Sequence, residues 1–248
     1  GPKAQRPAYA PIVHAASGYD LAQVEYQGGG RPANTAIFVA DVFGGMSSFA
    51  AIQTALFDRQ RTGRGRYVDV SMLDGMLNML VFETLELQTP SPVKLRVYQP
   101  LEASDGFVVV APTSQRNFEK LCECLDKREW LSDPRFKATK IREEHWDEFM
   151  RLIEAWTRQR TALECEETLL AAGVPCTRYL GVGEAMSDPQ VAARGTFTPV
   201  TDDAGTYLVP SAPYQFAGLS TPVRSWVPKL GEHTDEILAR FRGKRSRT

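Results

Sequence analysis

The strongest hydrophobic pattern in the chain is helical and lies in residues 41–62. Apolar positions recur there at intervals of three and four residues, the spacing of a helix face that packs against a core. These positions are Met46, Phe49, Ala50, Ile52, Leu56 and Phe57. Asp41 stands where an N-cap residue would stand, and Gly63 follows Arg59 and Arg61 in the manner of a helix C-terminus. The pattern predicts one long helix from Asp41 to the residue before Gly63.

Further elements are predicted on either side of this helix. Residues 12–20 have the apolar and small side chains of a closely packed helix. His14 within them could in principle act as a base, but its place in an apolar helical run favours a satisfied core or packing histidine. Residues 67–70 favour a strand, and Ser71 with Asp74 approximates a capping box. Residues 72–87 are apolar on almost every side, so this second helix is predicted to be buried.

The pattern changes after residue 88. Residues 89–100 contain three prolines and no helical period, which indicates a domain boundary. A hairpin with its turn around Asp105 and Gly106 follows, then amphipathic helices over residues 115–125, 143–158 and 161–172, and a strand in residues 174–180. Short strands in residues 205–210 and 214–217 precede a last helix, residues 234–241, with Thr234 as its N-cap. Residues 181–186, GVGEAM, are interpreted as a turn, because a lone GxG is weak evidence for a nucleotide site.

Composition narrows the class of protein. The chain has 248 residues, of which 43% are hydrophobic and 24% charged, and a formal net charge of -1. Nucleic-acid-binding proteins usually carry a clear basic excess, so no nucleic-acid partner is expected. No apolar run approaches the roughly 18 residues of a membrane span, and the first residues lack a signal-peptide pattern. A cytoplasmic protein with no membrane partner is predicted.

The cysteines and histidines do not have the spacing of a metal site. There are four cysteines without a CxxC pair and only three histidines. Such cysteines are typical of small buried hydrophobic residues in a reducing compartment. No metal ligands are predicted.

Asp41 has two possible roles that position alone does not separate. At a helix start, a carboxylate commonly accepts backbone N–H bonds as a cap. An ionised carboxylate is also a nucleophile that needs no partner base, and the helix start favours its charge. Gly44 and Gly45, just beyond it, leave little side-chain bulk where a substrate would approach, and their backbone N–H groups are candidate oxyanion donors.

Several motifs together resemble one enzyme family. These are RPAYAPIVHAASG, ADVFGGM, RTGRGRYVDVSMLDGML, AGVPCTRY, SDPQVAARG and PKLGEHTDEIL. In order and over nearly the whole chain, they are similar to family III coenzyme A transferases, the group of formyl-CoA transferase and carnitine CoA-transferase. The resemblance implies an α/β fold with a Rossmann-like large domain, present here in part, and a smaller α+β domain. It assigns residues 1–90 to the large domain, 97–194 to the small domain, and 195–248 to a segment that returns to the large domain.

The resemblance also implies an activity. The aspartate of the segment matching ADVFGGM is the nucleophile in that family, which carries over to Asp41. The implied reaction moves CoA from an acyl-CoA donor to a carboxylic acid through an aspartyl anhydride and an aspartyl-CoA thioester. Coenzyme A is a substrate, no cofactor is implied, and an interlocked homodimer is expected. Family members carry a nucleotide-binding half ahead of the segment matching the present start, so the sequence is expected to be truncated at the front.

Two residues near the start bear on the type of reaction. Tyr9 occupies a position that holds a tyrosine in the transferases and a histidine in the related α-methylacyl-CoA racemases, which favours transfer. Ala10 replaces a residue that is usually acidic in both groups. Tyr9 and Ala10 are therefore predicted to shape the substrate pocket. An acyl-CoA racemase or isomerase, and a non-catalytic fragment or subunit, remain the alternative functions.

The CoA phosphates need cationic partners. Arg64, in the basic turn of residues 59–66, and Lys3 and Arg6, near Tyr9, are the predicted contacts. The alternative for each is an ordinary solvated charge. Residues 28–30, three consecutive glycines, are interpreted as a connector because Pro32 does not suit a phosphate-binding helix start. The stretch before the hairpin lacks the glycine run of the formyl-CoA transferase lid, so that type of closure is not expected.

Overall fold

The computed structural model describes residues 1–33, 35–90, 97–219 and 223–242. The predicted domain boundary falls partly on residues 91–96 and so lies partly outside the described residues. The fold is mixed α/β, as predicted from the sequence. None of the helices in the described ranges is long and apolar enough to cross a membrane.

The described residues among the first ninety form five helices. They are α1 (Ala10–Ser17), α2 (Tyr19–Glu25), α3 (Val39–Thr62), α4 (Met72–Met79) and α5 (Val81–Gln88). Gly63 is the C-cap residue of α3 and has a φ of 70°, which is the left-handed conformation of a glycine that ends a helix. The single helix predicted for residues 72–87 is wrong, because the chain leaves helical geometry at Leu80 and begins α5. Residues 67–70 form no strand, since no described segment pairs with them.

A small core joins three of these helices. Helix α1 packs against both α3 and α4, and the buried side chains between them are Ala10, Val13, Ala40 and Met76. Glycines allow the close approach of α3 and α4. A Cβ on Gly44 would lie 3.1 Å from Met72 Cγ, and one on Gly75 would lie 2.8 Å from Phe43 Cδ1.

The apolar face of α3 is exposed, which contradicts the predicted packing against a core. Only Ala40 and Gly44 of this 24-residue helix are buried. Met46 is 65% exposed and Phe49 54% exposed. Helix α5 is also exposed rather than buried, with Leu87 86% accessible to solvent. Helices α3 and α5 therefore both present unburied apolar surface.

The middle of the chain forms a separate layered unit of strands and helices. Its elements are β1 (Leu101–Ala103), β2 (Gly106–Val110), α6 (Gln115–Cys124), a 3-10 helix (Arg128–Leu131), α7 (Thr139–Glu144), α8 (Trp146–Thr157), α9 (Ala162–Ala171) and β3 (Cys176–Arg178). The strands form an antiparallel sheet in the order β1-β2-β3, with Leu101 opposite Val108 and Val108 opposite Arg178. The hairpin and the three predicted helical regions are confirmed, with residues 143–158 divided between α7 and α8 at His145.

An aromatic cluster fills the core of this middle unit. Phe118, Phe136 and Phe149 are fully buried, and Trp130 and Trp146 contact Phe149 with ring centroids 5.8 Å away. Helices α6 and α9 both begin with complete capping boxes, at Ser114 and Thr161. Local caps and a continuous core thus define this unit together.

The last part of the chain contains short elements. They are α10 (Val182–Met186), α11 (Pro189–Ala193), β4 (Phe197–Asp202), β5 (Gly205–Pro210) and α12 (Thr234–Arg242). Strands β4 and β5 form an antiparallel hairpin. Residues 181–186 form a short helix rather than a turn, because the Glu184 carboxylate accepts the Gly181 N–H at 2.9 Å. Residues 214–217 form no strand beyond one bridge between Phe216 and Leu219, and α12 begins at Thr234 itself.

Candidate active site at the start of helix α3

Asp41 is the third residue of α3 and not its N-cap, which corrects the capping role expected from position. The N-cap is Phe38, whose side chain makes no capping hydrogen bond. The Asp41 side chain is exposed and has no hydrogen-bond or ion-pair partner within the described ranges. Its carboxylate therefore lies in the first turn of a long helix, beside the positive end of the helix dipole. No contact with another described residue commits the carboxylate to a structural task.

The backbone N–H groups around Asp41 have identifiable acceptors. The Val39 N–H donates to the Ile37 carbonyl at 2.8 Å, and the Val42 N–H donates to the Phe38 carbonyl at 3.1 Å. The Ala40 N–H donates to Nε2 of His14, on α1, at 3.0 Å. The start of α3 is thus held by two local bonds and by one side chain from another helix.

Gly44 and Gly45 lie in the second turn of α3. In a helix interior each N–H is bonded to the carbonyl four residues earlier, so these two groups are not free oxyanion donors, in contrast to the sequence-based expectation. Gly44 is buried against Met72, whereas a Cβ on Gly45 would meet nothing within 4 Å. Gly45 therefore leaves open space next to Asp41, and the predicted substrate contacts of both glycines stay predictions.

Tyr9 and Ala10 form the start of α1. Tyr9 is its N-cap residue and is 74% exposed, whereas Ala10 is 2% exposed and packs in the small core with Ala40. Tyr9 directly precedes Ala10, and Asp41 directly follows Ala40. Tyr9 and Asp41 therefore lie at two helix starts that border the same small core. The predicted substrate contact of Tyr9 is compatible with its exposure, while Ala10 faces the core.

The predicted phosphate contacts are solvent-exposed cations. Among the described residues, the side chains of Lys3, Arg6 and Arg64 have no ion-pair partner. Arg66 of the same basic turn is paired with Asp58 at 2.8 Å. The three exposed cations have no anionic partner here, and a role toward CoA stays a prediction.

The cysteines are packing residues in the middle unit. Cys122 and Cys165 are fully buried, and all four cysteines are free thiols. Burial raises the pKa of Cys122 to about 12 and that of Cys165 to about 11. Burial also raises the pKa of Cys176 to about 12. These thiols stay protonated near neutral pH, which does not suit nucleophilic chemistry.

His14 is a core histidine, as predicted, and it also makes a specific contact at the candidate site. It is fully buried as expected, but its ring nitrogen also accepts the Ala40 N–H next to Asp41. The two residues are 26 positions apart, and no local pattern in the sequence indicates such a contact. This bond therefore depends on the tertiary fold and not on the local sequence.

A family model confirms the class of protein that these features suggest. The model described as CoA-transferase family III matches residues 1–234. The chain belongs to the CoA-transferase family III.

Relatives within the family carry named activities of their own. A succinate–glutarate CoA-transferase from Agrobacterium fabrum is 29% identical, with 96% of this chain and 62% of the relative aligned. An acetyl-CoA:oxalate CoA-transferase from Acetobacter aceti is also 29% identical, with 97% of this chain and 63% of the relative aligned. The chain therefore spans less than two thirds of the length of these relatives.

Solved structures show the same fold. A CAIB/BAIF family protein from Brucella suis superimposes with a TM-score of 0.75 at 28% identity, over 97% of this chain and 64% of that one. The Mycobacterium tuberculosis protein Rv3272 gives a TM-score of 0.83 at 22% identity, over 95% of this chain and 65% of that one. Both structural similarities concern the fold.

Proposed function

We propose that this chain carries the nucleophile of an enzyme that moves CoA from an acyl-CoA donor to a carboxylic acid acceptor. The observation that carries the proposal is the Asp41 carboxylate, which is exposed, without a partner in the described chain, and placed in the first turn of α3. Membership of CoA-transferase family III supports it, as do relatives named for CoA transfer involving succinate, glutarate and oxalate.

The proposed chemistry exchanges one activated carboxyl group for another. Asp41 attacks the donor thioester carbon, and the C–S bond breaks to give an acyl-aspartyl anhydride and CoA thiolate. The thiolate attacks the aspartyl carbonyl carbon, which releases the donor carboxylate and leaves an aspartyl-CoA thioester. The acceptor carboxylate attacks that thioester and forms a second anhydride. The returning thiolate attacks the acceptor's acyl carbon, frees Asp41 and gives the new acyl-CoA.

Each step needs the oxyanion of a tetrahedral intermediate to be stabilised and water to be excluded. In the first turn of α3 the N–H groups of Val39, Ala40 and Val42 are already bonded, so the Asp41 N–H is the one first-turn donor without an acceptor among the described residues. Tyr9 and the open surface at Gly45 are proposed to contact the acyl group, and Lys3, Arg6 and Arg64 the phosphates of CoA. All bonds made or broken involve carboxylates and thioesters, so the proposal includes no cofactor besides CoA as a substrate.

Assembly into a homodimer of the complete protein is part of the proposal. The chain exposes 18509 Å² of accessible surface, whereas a compact monomer of its mass would expose about 11,000 Å². Part of the excess is the apolar face of α3, and large exposed apolar surfaces mark interaction sites. A cytoplasmic location is also proposed and is supported by the four free cysteines, which are typical of a reducing compartment.

The decisive experiment replaces the carboxylate without changing its shape. Asp41→Asn in the complete protein is expected to lower kcat about 10³-fold or more and to abolish the covalent aspartyl-CoA adduct seen by mass spectrometry. Asp74→Asn is the matched control, because Asp74 is the third residue of α4 and is also exposed. Both changes remove a carboxylate that interacts in a similar way with a helix dipole. The two variants therefore differ in the loss of the proposed nucleophile.

The outcome is read with several acyl-CoA donors against dicarboxylic and hydroxy acids. Asp41→Asn with wild-type turnover would contradict the proposal. Exchange of the α-proton in deuterated water without CoA transfer would instead identify an acyl-CoA racemase or isomerase.

A further inference from the structure

The buried side chain of His14 joins helix α1 to the start of helix α3. Its Nε2 accepts the Ala40 N–H at 3.0 Å, and its ring contacts Tyr19 with centroids 5.4 Å apart. The side chain has no exposed surface. Ala40 immediately precedes Asp41, so this bond lies one residue from the proposed nucleophile.

The bond replaces a local helix cap. The first N–H groups of an α-helix have no intrahelical acceptor and are usually capped by Ser, Thr, Asp or Asn at the N-cap. Phe38 occupies that place in α3 and its side chain offers no acceptor. An imidazole nitrogen from α1 takes over this task and thereby fixes α3 to α1.

The hydrogen bond also fixes the form of the imidazole. A ring nitrogen that accepts an N–H carries no proton, so a neutral ring must carry its proton on Nδ1. His14 Nδ1 is buried and has no hydrogen-bond partner among the described residues. Leaving a buried polar atom without a partner is costly. An apolar side chain could fill this position without that cost, so packing alone does not explain a histidine here.

We infer that His14 is a positioning residue for the Asp41 nucleophile. Its bond to Ala40, together with the core formed by Ala10 and Ala40, fixes the start of α3, which carries Asp41, relative to the start of α1, which carries Tyr9. The inference rests on the proposed role of Asp41. Nucleophilic attack requires a carboxylate that is held close to its reacting geometry. Loosening the contact between the starts of α1 and α3 therefore lowers turnover more than it weakens substrate binding.

The test compares two substitutions of similar size in the complete protein. Glutamine in His14→Gln keeps one acceptor for the Ala40 N–H, whereas methionine in His14→Met fills a similar volume with only a weak acceptor. We expect His14→Met to lower kcat about 10²-fold with KM changed less than about threefold. We expect His14→Gln to retain kcat within about threefold of wild type. Equal losses in both variants, or no loss in His14→Met, would overturn the inference.

A spectroscopic measurement tests the geometry without relying on activity. With only three histidines in the chain, ¹⁵N-labelled histidine should give one ring with an unprotonated Nε2 and a protonated Nδ1 that disappears in His14→Gln. A His14 ring protonated at Nε2 would overturn the inference even where the variants fail to fold. Wild-type turnover in Asp41→Asn would remove the proposed function while leaving this signature intact, so the two failures are distinguishable.

Discussion

The middle unit and the first ninety residues bury very different amounts of apolar surface. Among the described residues, the core of the middle unit contains eighteen buried apolar residues, while the core that joins α1, α3 and α4 contains four. The sequence of the first ninety residues is not less hydrophobic, because α3 and α5 expose large apolar side chains. The difference indicates that the middle unit completes its own core, whereas the segment with Asp41 leaves apolar surface uncovered among the described residues.

The largest expected contrast comes from one substitution made in both regions. Phe149→Ala removes a fully buried ring that contacts Phe118, Trp130, Phe136 and Trp146. We expect it to lower the free energy of unfolding by about 3–5 kcal/mol, because it removes buried surface and leaves a cavity. The measurement is denaturant unfolding of the 248-residue chain, followed by tryptophan fluorescence.

Phe49→Ala is the matched substitution on the exposed face of α3, where the ring is 54% accessible. We expect it to change the stability of the chain by less than about 0.5 kcal/mol but to weaken assembly of the complete protein, measured by sedimentation. Equal losses of stability from the two substitutions would mean that α3 is packed in the chain alone. Unchanged assembly would contradict the proposed use of this face.

A smaller contrast concerns the glycines that bring α3 and α4 together. Gly75→Ala would place a Cβ 2.8 Å from Phe43, whereas Gly45→Ala, on α3, meets nothing within 4 Å. Both gain helix propensity, so their difference isolates the steric conflict. We expect Gly75→Ala to be less stable than Gly45→Ala by about 1–3 kcal/mol. Amide hydrogen exchange in α3 and α4 measures it, and equal protection in both variants would show that Phe43 moves aside.

The smallest expected effect is a pH dependence in the middle unit. Hydrogen bonds from Arg135 hold the pKa of Asp133 at about 2, below its ordinary value. The stabilisation is therefore present above about pH 4 and is lost as pH falls from about 4 to about 2. Asp133→Asn should lower the Tm at pH 7, and the difference from wild type should vanish near pH 2. A difference that is independent of pH would show that the ion pair contributes nothing.

The two regions also differ in how well their sequence predicts their structure. Ser114, Thr161 and Gly173 set the bounds of α6 and α9 through contacts within a few residues, so the predicted helices agree with the structure. Residues 67–70 have strand character but form no strand, because a strand requires a partner that the described chain does not provide.

The candidate site was predicted only in part, for a similar reason. Position and family resemblance select Asp41, but position predicts it as the N-cap of α3, whereas it is the third residue of the helix. Helix α3 begins two residues earlier, at Val39, and His14, distant in sequence, accepts the Ala40 N–H in its first turn. Propensity describes local choices, whereas this helix start depends on a contact between α1 and α3.

The exposed face of α3 has a consequence for how the protein is made. A helix of 24 residues is about 36 Å long, and its apolar face stays open until another surface covers it. The middle unit has its core within its own sequence and can fold as soon as it leaves the ribosome. Under the proposed homodimer assembly, the helical part keeps this face open until a second copy binds, and during that interval it is exposed to aggregation and to chaperones. The yield of active protein is therefore expected to depend on how quickly newly made chains meet.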